Sequence, residues 1–237
     1  MSFLDPYTTW ADGRVSFTRS QASRFAKQVA DDFNPIHDVE AKRFCVPGDL
    51  LFGVLIKHLG LYPQMHFTFS GMVGDGVKIH FEESTPGRIE LLDERGKEYL
   101  RATYSGTPNR DDQAIEQVIR NYVKFSGHNF PHVLEPLMAE HKVMINIDRP
   151  LVIYESMSLS LDHAEVRDST IEHTGASMEV DGKRGNVSLT FRFLVDGEEV
   201  GTGEKKMVLS GLREYDAAVM SEMVQRYDQR KREQVDL

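Results

Sequence analysis

A short apolar run, Leu50–Ile56, constrains the fold of this chain more than any other feature. The residues around it read as one helix, because Gly48 precedes the run and Gly60 and Pro63 follow it. A helix that is hydrophobic on every side has to be buried. The sequence therefore predicts a buried helix from Gly48 to about Gly60, with Asp49 as its N-cap.

Four strand-like segments follow this helix and can surround it. They are 65–72, 77–83, 88–93 and 98–105. Turn residues such as Pro86-Gly87 and Arg95-Gly96 separate neighbouring segments. This order predicts an antiparallel meander that wraps one central helix.

A shorter helix precedes the buried one. A short edge strand over 13–18 leads into it, and Thr18 or Ser20 can cap it. The helix is predicted to run to about Asp31, because Pro35 pushes the residue before it out of the helical region. The residues between this helix and Gly48 therefore form a bend.

The same order recurs after a linker over 106–112. A helix over 112–125, a bend over 126–132 and a helical piece over 133–140 come first. Four strand-like segments then follow, namely 151–162, 170–180, 185–195 and 198–210. The repetition predicts a duplication with domains 1–108 and 109–237.

The last stretch, 213–232, reads as an amphipathic helix. It is either a lid packed on the chain's own sheet or a helix that binds a partner, and a homodimer is possible.

Composition narrows the classes of function. The net charge of −9 argues against nucleic-acid binding, since a phosphate backbone would be repelled. No apolar run approaches the roughly 20 residues of a membrane helix. Cys45 is the single cysteine, which excludes an intrachain disulfide and favours a reducing compartment. With no basic and apolar leader at the N-terminus, we expect a cytoplasmic protein.

The bend between the first two helices concentrates the polar chemistry of the chain. It carries Asp32, Asn34, Pro35 and His37 within six residues. Aspartate, asparagine and proline are also ordinary turn residues, so the pattern is equally typical of a structural bend. The sequence context has to decide between the two interpretations.

The bend resembles the Gly-Asp-x-Asn-Pro-x-His motif of MaoC-like hydratases, the (R)-specific enoyl-CoA hydratase family. Asp32–His37 matches that motif from its aspartate onward, and Gly48 stands where the family has the glycine that starts its central helix. The resemblance implies an α+β double hotdog fold, in which two helix-wrapped antiparallel sheets form a pseudo-dimer. The whole chain also resembles an uncharacterised bacterial domain-of-unknown-function family within this superfamily.

The chain departs from the motif in several places. Asp31 replaces its glycine, and Pro47 stands where the family usually has a histidine. The second bend contains a scrambled version, with His128 at the aspartate position. The second half is therefore predicted to be a degenerate repeat.

The resemblance implies a hydratase or dehydratase that acts on acyl thioesters, either 2-enoyl-CoA or an acyl carrier. In this interpretation Asp32 and His37 activate water, and the Gly48 N–H binds the thioester oxygen. Asn34 belongs to the substrate-binding turn, which it would brace through its side chain. No cofactor and no metal are expected. His128 and His132 have a spacing used by metal ligands, but Pro131 breaks the helix that this spacing needs.

Two other functions stay open at this stage. The chain could be a non-catalytic acyl-CoA-binding protein or a scaffold of the same fold. It could also be a thioesterase, which needs an acid on the central helix, and only Asp49 offers one. Cys45 is interpreted as a buried thiol rather than as a nucleophile.

Overall fold

The computed structural model describes residues 2–147 and 150–235. Its helices are α1 (Arg19–Gln28), α2 (Gly48–Leu59), α3 (Asp112–Gly127), α4 (Asn129–His132), α5 (Leu134–Glu140) and α6 (Ala217–Val235). Short 3-10 turns occur at Asp5–Tyr7 and Pro35–His37. Within the described ranges, none of the helices combines the length and the apolar character needed to cross a lipid bilayer.

The strands of the first half are β1 (Thr9–Ala11), β2 (Arg14–Ser16), β3 (Gln64–Phe69), β4 (Ile79–Thr85), β5 (Arg88–Asp93) and β6 (Glu98–Ser105). Those that follow are β7 (Val143–Met144), β8 (Val152–Leu161), β9 (Thr170–Asp181), β10 (Arg184–Val195), β11 (Glu198–Ser210) and β12 (Arg213–Glu214). Strand alternation and turn residues predicted the eight long strands of this set.

Ten of these strands form one sheet in the order β1-β2-β4-β5-β6-β3-β8-β11-β10-β9, and β7 pairs with β12 separately. The two halves of the chain meet where β3 and β8 pair antiparallel, with Phe67 opposite Met157. The neighbouring strands of the sheet are antiparallel throughout this order. The sheet is therefore continuous across the two halves.

Two apolar clusters surround α2 and α5, and the larger one contains residues of both halves of the chain. In the first half α2 is buried over most of its length, and Phe52 packs against Phe67 of the sheet and Tyr122 of α3. In the second half a smaller cluster joins Leu134 and Met138 of α5 to residues of β10, β11 and α6. Two helices, each wrapped by its part of the sheet, confirm the predicted α+β double hotdog.

The domain boundary between residues 108 and 109 stays a prediction. The outer ends of the two predicted domains, at Met1 and at residues 236–237, lie outside the described residues.

Three local predictions from the sequence are wrong. Asp49 does not cap α2, because Pro47 occupies that position and the Asp49 side chain is buried. Helix α1 ends at Gln28 rather than near Asp31, which has a left-handed φ of 55°. The last helix starts at Ala217 rather than at 213, since the preceding residues pair as β12 with β7.

The C-terminal end of α3 packs directly on the bend that follows α1. A Cβ placed on Gly127 would lie 1.8 Å from the carbonyl oxygen of Ala30. That distance is far inside any non-bonded contact, so only glycine allows this approach. The packing brings the end of α3 to the polar bend of the first half.

Gly127→Ala is expected to destabilise the protein by about 1–3 kcal/mol, because the added methyl forces α3 away from the bend. Urea unfolding followed by circular dichroism measures the change. Gly74→Ala is the matched control, since a Cβ there would lie 3.8 Å from the nearest atom, Val77 Cγ2. Equal free energies of unfolding for the two variants would contradict the packing described above.

Candidate functional site

A cavity of about 800 Å³ lies between the bend of the first half and the apolar cluster of the second. The bend, the start of α2, the end of α3 and parts of β8, β11 and α6 line it. Asp32, Asn34, His37 and Gly48 all line this cavity. The fold therefore brings the four predicted site residues to one place.

The bend is held by its own side chains. Asp32 Oδ1 accepts a hydrogen bond from the Asn34 N–H at 2.9 Å, and Asn34 Oδ1 accepts one from the Ile36 N–H at 3.2 Å. Such side-chain-to-backbone bonds fix turns locally. Asn34 thus braces the turn that carries His37, as the sequence predicted for its side chain.

The backbone conformation of Asp31 explains why the motif has a glycine at this position and why aspartate can replace it. Its φ of 55° lies in the left-handed region, which glycine adopts freely and aspartate tolerates better than most residues. Its carboxylate accepts hydrogen bonds from His128 Nε2 and Lys231 Nζ. Aspartate at this position therefore ties the bend to α3 and α6, which glycine could not do.

The side chains of Asp32 and His37 lie close together at the bend. His37 Nδ1 lies 2.7 Å from the carbonyl oxygen of Cys45. A carbonyl only accepts hydrogen bonds, so Nδ1 carries the proton and Nε2 of the neutral ring is an acceptor. Nε2 lies 3.5 Å from Asp32 Oδ2. Two acceptors at this separation can both receive a hydrogen bond from one water molecule.

The start of α2 offers backbone donors to the same cavity. The Pro47 carbonyl accepts from the N–H groups of Leu50 and Leu51 at 3.0 and 3.3 Å. The N–H groups of Gly48 and Asp49 come earlier in the helix and have no carbonyl partner within it. The helix dipole favours negative charge at this end.

Glycine is required at position 48 for a reason that the sequence did not disclose. A Cβ there would lie 2.9 Å from Tyr154 Cδ1 and 3.1 Å from Phe69 Cε1. The two rings stack with centroids 4.1 Å apart and cover the first turn of α2. Any side chain would displace this aromatic pair.

A buried polar network adjoins Gly48, and the sequence analysis missed two of its members. Ser126 Oγ donates a hydrogen bond to Asp49 Oδ2 at 2.7 Å, and Lys205 Nζ donates one to Ser126 Oγ. Asp49 is only 7% exposed, and Ser126 and Lys205 are each 5% exposed. Asp49 Oδ1 has no hydrogen-bond partner among the residues described. The three residues also line the cavity.

Burial disfavours both charges of this network. It raises the pKa of Asp49, against the opposing effects of Lys205 and of the Ser126 hydrogen bond. It lowers the pKa of Lys205, against the opposing attraction of Asp49 and Asp32. Lys205 Nζ also lies 4.4 Å from the centroid of the Tyr154 ring, a cation–π contact. Because Asp32 influences both pKa values, the pair at the bend and the network act on each other.

Strand alternation could have identified Lys205. Side chains two residues apart share a face of a strand, which places Lys205 with Met207 and Leu209 of β11, and both of these are buried. A lysine in an apolar series is a signal of a buried charge. Ser126 gave no such signal, because its partner Asp49 lies 77 residues away in the sequence.

Helix α6 packs over the bend of its own chain. The Phe33 N–H donates to Tyr227 Oη at 3.4 Å, and the two rings meet edge to face. Arg230 Nη1 lies 2.9 Å from Asp38 Oδ2. These contacts favour the interpretation of α6 as a lid, and the homodimer stays a prediction.

The remaining cysteine and histidine candidates have structural partners. Burial raises the pKa of the Cys45 thiol to about 11. His128 bonds to Asp31, as noted above, and its ring lies 6.5 Å from that of His132. Among the residues described, the structure has no group of three or more His, Cys, Asp or Glu side chains that could hold a metal ion.

Comparison of the sequence with models of protein families gives a match over most of the chain. A family model described as "Protein of unknown function (DUF3581)" matches residues 2–218. The predicted resemblance of the whole chain to a family of unknown function is thereby confirmed. No curated protein matches the sequence.

Comparisons of structure give similar solved proteins. A putative thioesterase II from Thermobifida fusca is 11% identical, with a TM-score of 0.47, over 89% of this chain and 98% of that one. A MaoC-like dehydratase is 10% identical, with a TM-score of 0.44, over 86% and 98%. A conserved protein of unknown function with a hot dog fold from Alicyclobacillus acidocaldarius is 8% identical, with a TM-score of 0.44, over 89% and 98%.

The Cys45 thiol is expected to be inert in the folded protein. A thiol with a pKa of about 11 has roughly one thiolate per thousand molecules at pH 8, and burial adds steric protection. Reaction with 5,5′-dithiobis(2-nitrobenzoic acid) should be slow in buffer and should reach one thiol per chain after unfolding in urea. Rapid stoichiometric reaction of the folded protein would contradict the burial of this side chain.

Proposed function

The chain belongs to the DUF3581 family, whose description names no activity, and from the chemistry of its cavity we propose that it is a hydratase or dehydratase acting on acyl thioesters. One observation carries the proposal. Asp32 Oδ2 and His37 Nε2 lie 3.5 Å apart at the wall of the cavity, placed so that one water molecule beside them can donate a hydrogen bond to each. The match of Asp32–His37 to the hydratase motif points to the same pair.

The proposed substrate is a 2-enoyl thioester of coenzyme A or of an acyl carrier. The cavity volume falls in the range of small-molecule sites. Its wall beyond the bend is largely apolar and includes Ile145, Val152, Met207 and Met223. An acyl chain of moderate length suits such a wall, because burial of its methylene groups is favourable.

In the proposed mechanism Asp32 and His37 accept hydrogen bonds from water and remove its proton as the oxygen attacks the β-carbon. Acid–base assistance of this kind contributes about 10²–10⁴ in rate. The negative charge moves to the thioester oxygen, which the Gly48 N–H stabilises at the positive end of α2. The proton taken from water then passes from the Asp32–His37 pair to the α-carbon, which gives the 3-hydroxyacyl thioester. Dehydration follows the same path in reverse. Asn34 acts by holding the turn, because its side-chain oxygen is bonded to the Ile36 N–H.

Thioester hydrolysis is the second candidate function, and the orientation of Asp49 favours it. Asp49 lies on the first turn of α2, points away from the capping position and lines the cavity. A buried carboxyl group with a raised pKa beside a polar network is typical of functional sites. In this reaction the same backbone donors of α2 would stabilise the tetrahedral oxyanion.

Hydration of a short trans-2-enoyl-CoA is the test of the first candidate. Loss of the conjugated thioester absorbance is expected with wild-type protein, and Asp32→Asn and His37→Ala should each lower the rate by about 10²–10⁴. Glu40→Gln is the control, because Glu40 is an exposed acid three residues after His37. Its rate should equal that of the wild type.

The same assay separates the alternatives. Release of free coenzyme A from a saturated acyl-CoA indicates hydrolysis, and binding of acyl-CoA in native mass spectrometry without turnover indicates a non-catalytic binder. Absence of hydration across chain lengths, or wild-type rates in both dyad variants, would overturn the hydratase proposal.

A further inference from the structure

We propose that Ser126 is a nucleophile that takes the acyl group from a thioester, with Asp49 as its base and Lys205 as the cation that activates it. The inference rests on the second candidate function, thioester hydrolysis, and names the atom that attacks. It assigns a covalent step to a residue of the second half of the chain.

The hydrogen bonds around Ser126 Oγ place it between a carboxylate and an amine. Its proton points to Asp49 Oδ2, since the two oxygens lie 2.7 Å apart. One lone pair accepts the hydrogen bond from Lys205 Nζ. Tyr122 also makes a side-chain hydrogen bond with Ser126, and this contact has to open before the second lone pair of Oγ can form a bond. Proton acceptor, nucleophile and cation are thus already assembled.

A purely structural role does not account for this arrangement. Two buried opposite charges that are linked only through Ser126 are weak support for stability, because the desolvation of both charges offsets their attraction. Here the charges also face a cavity rather than a closed core, since Asp49, Ser126 and Lys205 all line it. Asp49 Oδ1 is buried without a hydrogen-bond partner among the residues described, which lowers the stability of the fold. Packing alone therefore does not explain an aspartate at this position.

Donors for an oxyanion lie next to the nucleophile. Asp49 contacts Ser126 through its side chain, and its own N–H and that of Gly48 lack carbonyl partners within α2. A carbonyl that approaches Ser126 from the cavity therefore meets backbone donors at the positive end of a helix. Nucleophile, base and oxyanion donors are the three parts that acyl transfer needs.

The reaction is balanced without any further reagent. The bond from Ser126 Oγ to the acyl carbon forms while the hydroxyl proton passes to Asp49. The C–S bond then breaks, and the thiolate leaves with that proton as a free thiol. Water, deprotonated by Asp49, attacks the Ser126 ester, the proton passes from Asp49 to Ser126 Oγ as the ester bond breaks, and the carboxylic acid is released. Lys205 stays protonated and stabilises the charge on Oγ in both steps.

The cavity also holds a matched control serine. Ser70 lines the same cavity, is exposed, and donates its hydroxyl proton to the carboxylate of Glu98. It shares the serine–carboxylate pair with Ser126 but not the buried position beside Lys205. The labelling of Ser70 therefore measures the reactivity of a serine in this cavity that is neither buried nor next to Lys205.

The first test uses an alkyl fluorophosphonate probe and intact-protein mass spectrometry, which need no thioester turnover. We expect a single adduct that maps to Ser126, is absent from Ser126→Ala and is retained in Ser70→Ala. Asp49→Asn should slow labelling by about 10²–10⁴, as loss of a general base does. Lys205→Met should slow it by about 10²-fold, and Lys205→Arg should restore part of the rate.

The second test quenches the protein during reaction with octanoyl-CoA and searches for an octanoyl adduct on Ser126. A wild-type protein that the probe does not label, or hydrolysis of octanoyl-CoA at an unchanged rate in Ser126→Ala, would overturn the inference. Ser126→Cys keeps the shape of the site if the alanine variant fails to fold. Its new thiol should react with iodoacetamide faster than Cys45, and equal inertness would also overturn the inference.

The two proposals fail separately. Probe labelling without hydration of an enoyl thioester leaves Ser126 as the nucleophile and removes the hydratase proposal. Hydration of an enoyl thioester without probe labelling supports the hydratase proposal and removes Ser126 as the nucleophile.

Discussion

The hydrogen bond between Ser126 and Asp49 is the contact on which the site depends. It joins the end of α3 to the start of α2 across 77 residues of sequence, inside the protein. Gly127, the next residue, lets α3 approach the bend at Ala30, so this contact and the position of the bend are set together. As a consequence, the carboxylate of Asp49 turns into the cavity instead of capping its helix. The halves of the double hotdog thus share one polar centre.

Local patterns predicted most of the fold, and long-range contacts account for what they missed. The bounds of β5, β6 and β11 agree with the sequence prediction, because alternation and turn residues are properties of adjacent positions. The start of α2 at Gly48 was predicted for the same reason. The cap of α2 was predicted wrongly. Aspartate often caps helices, but here the distant Ser126 donates a hydrogen bond to Asp49 and the distant Lys205 attracts its charge.

The predicted site residues were found because they lie within one short motif, whereas the network beside them spans three distant segments. Asp32 and His37 are five residues apart, so a linear pattern can represent them. Asp49, Ser126 and Lys205 come together only through the pairing of the halves. Departures from the motif were informative in a different way. Asp31 keeps the left-handed backbone of the motif's glycine and adds a carboxylate that holds α3 and α6 on the bend.

The charges of the cavity also limit what it can bind. Two carboxylates, Asp32 and Asp49, share one buried cation, Lys205, and each carboxylate affects the pKa of that lysine. The cluster therefore holds two carboxyl groups for one amine. A ligand that places a further anion beside it would be repelled strongly, because a buried site screens charge poorly. A neutral thioester carbonyl meets no such barrier, and the negative charge that it develops falls instead on the backbone donors of α2. The electrostatics therefore favour a neutral acyl group at this point of the cavity, whichever of the two reactions follows.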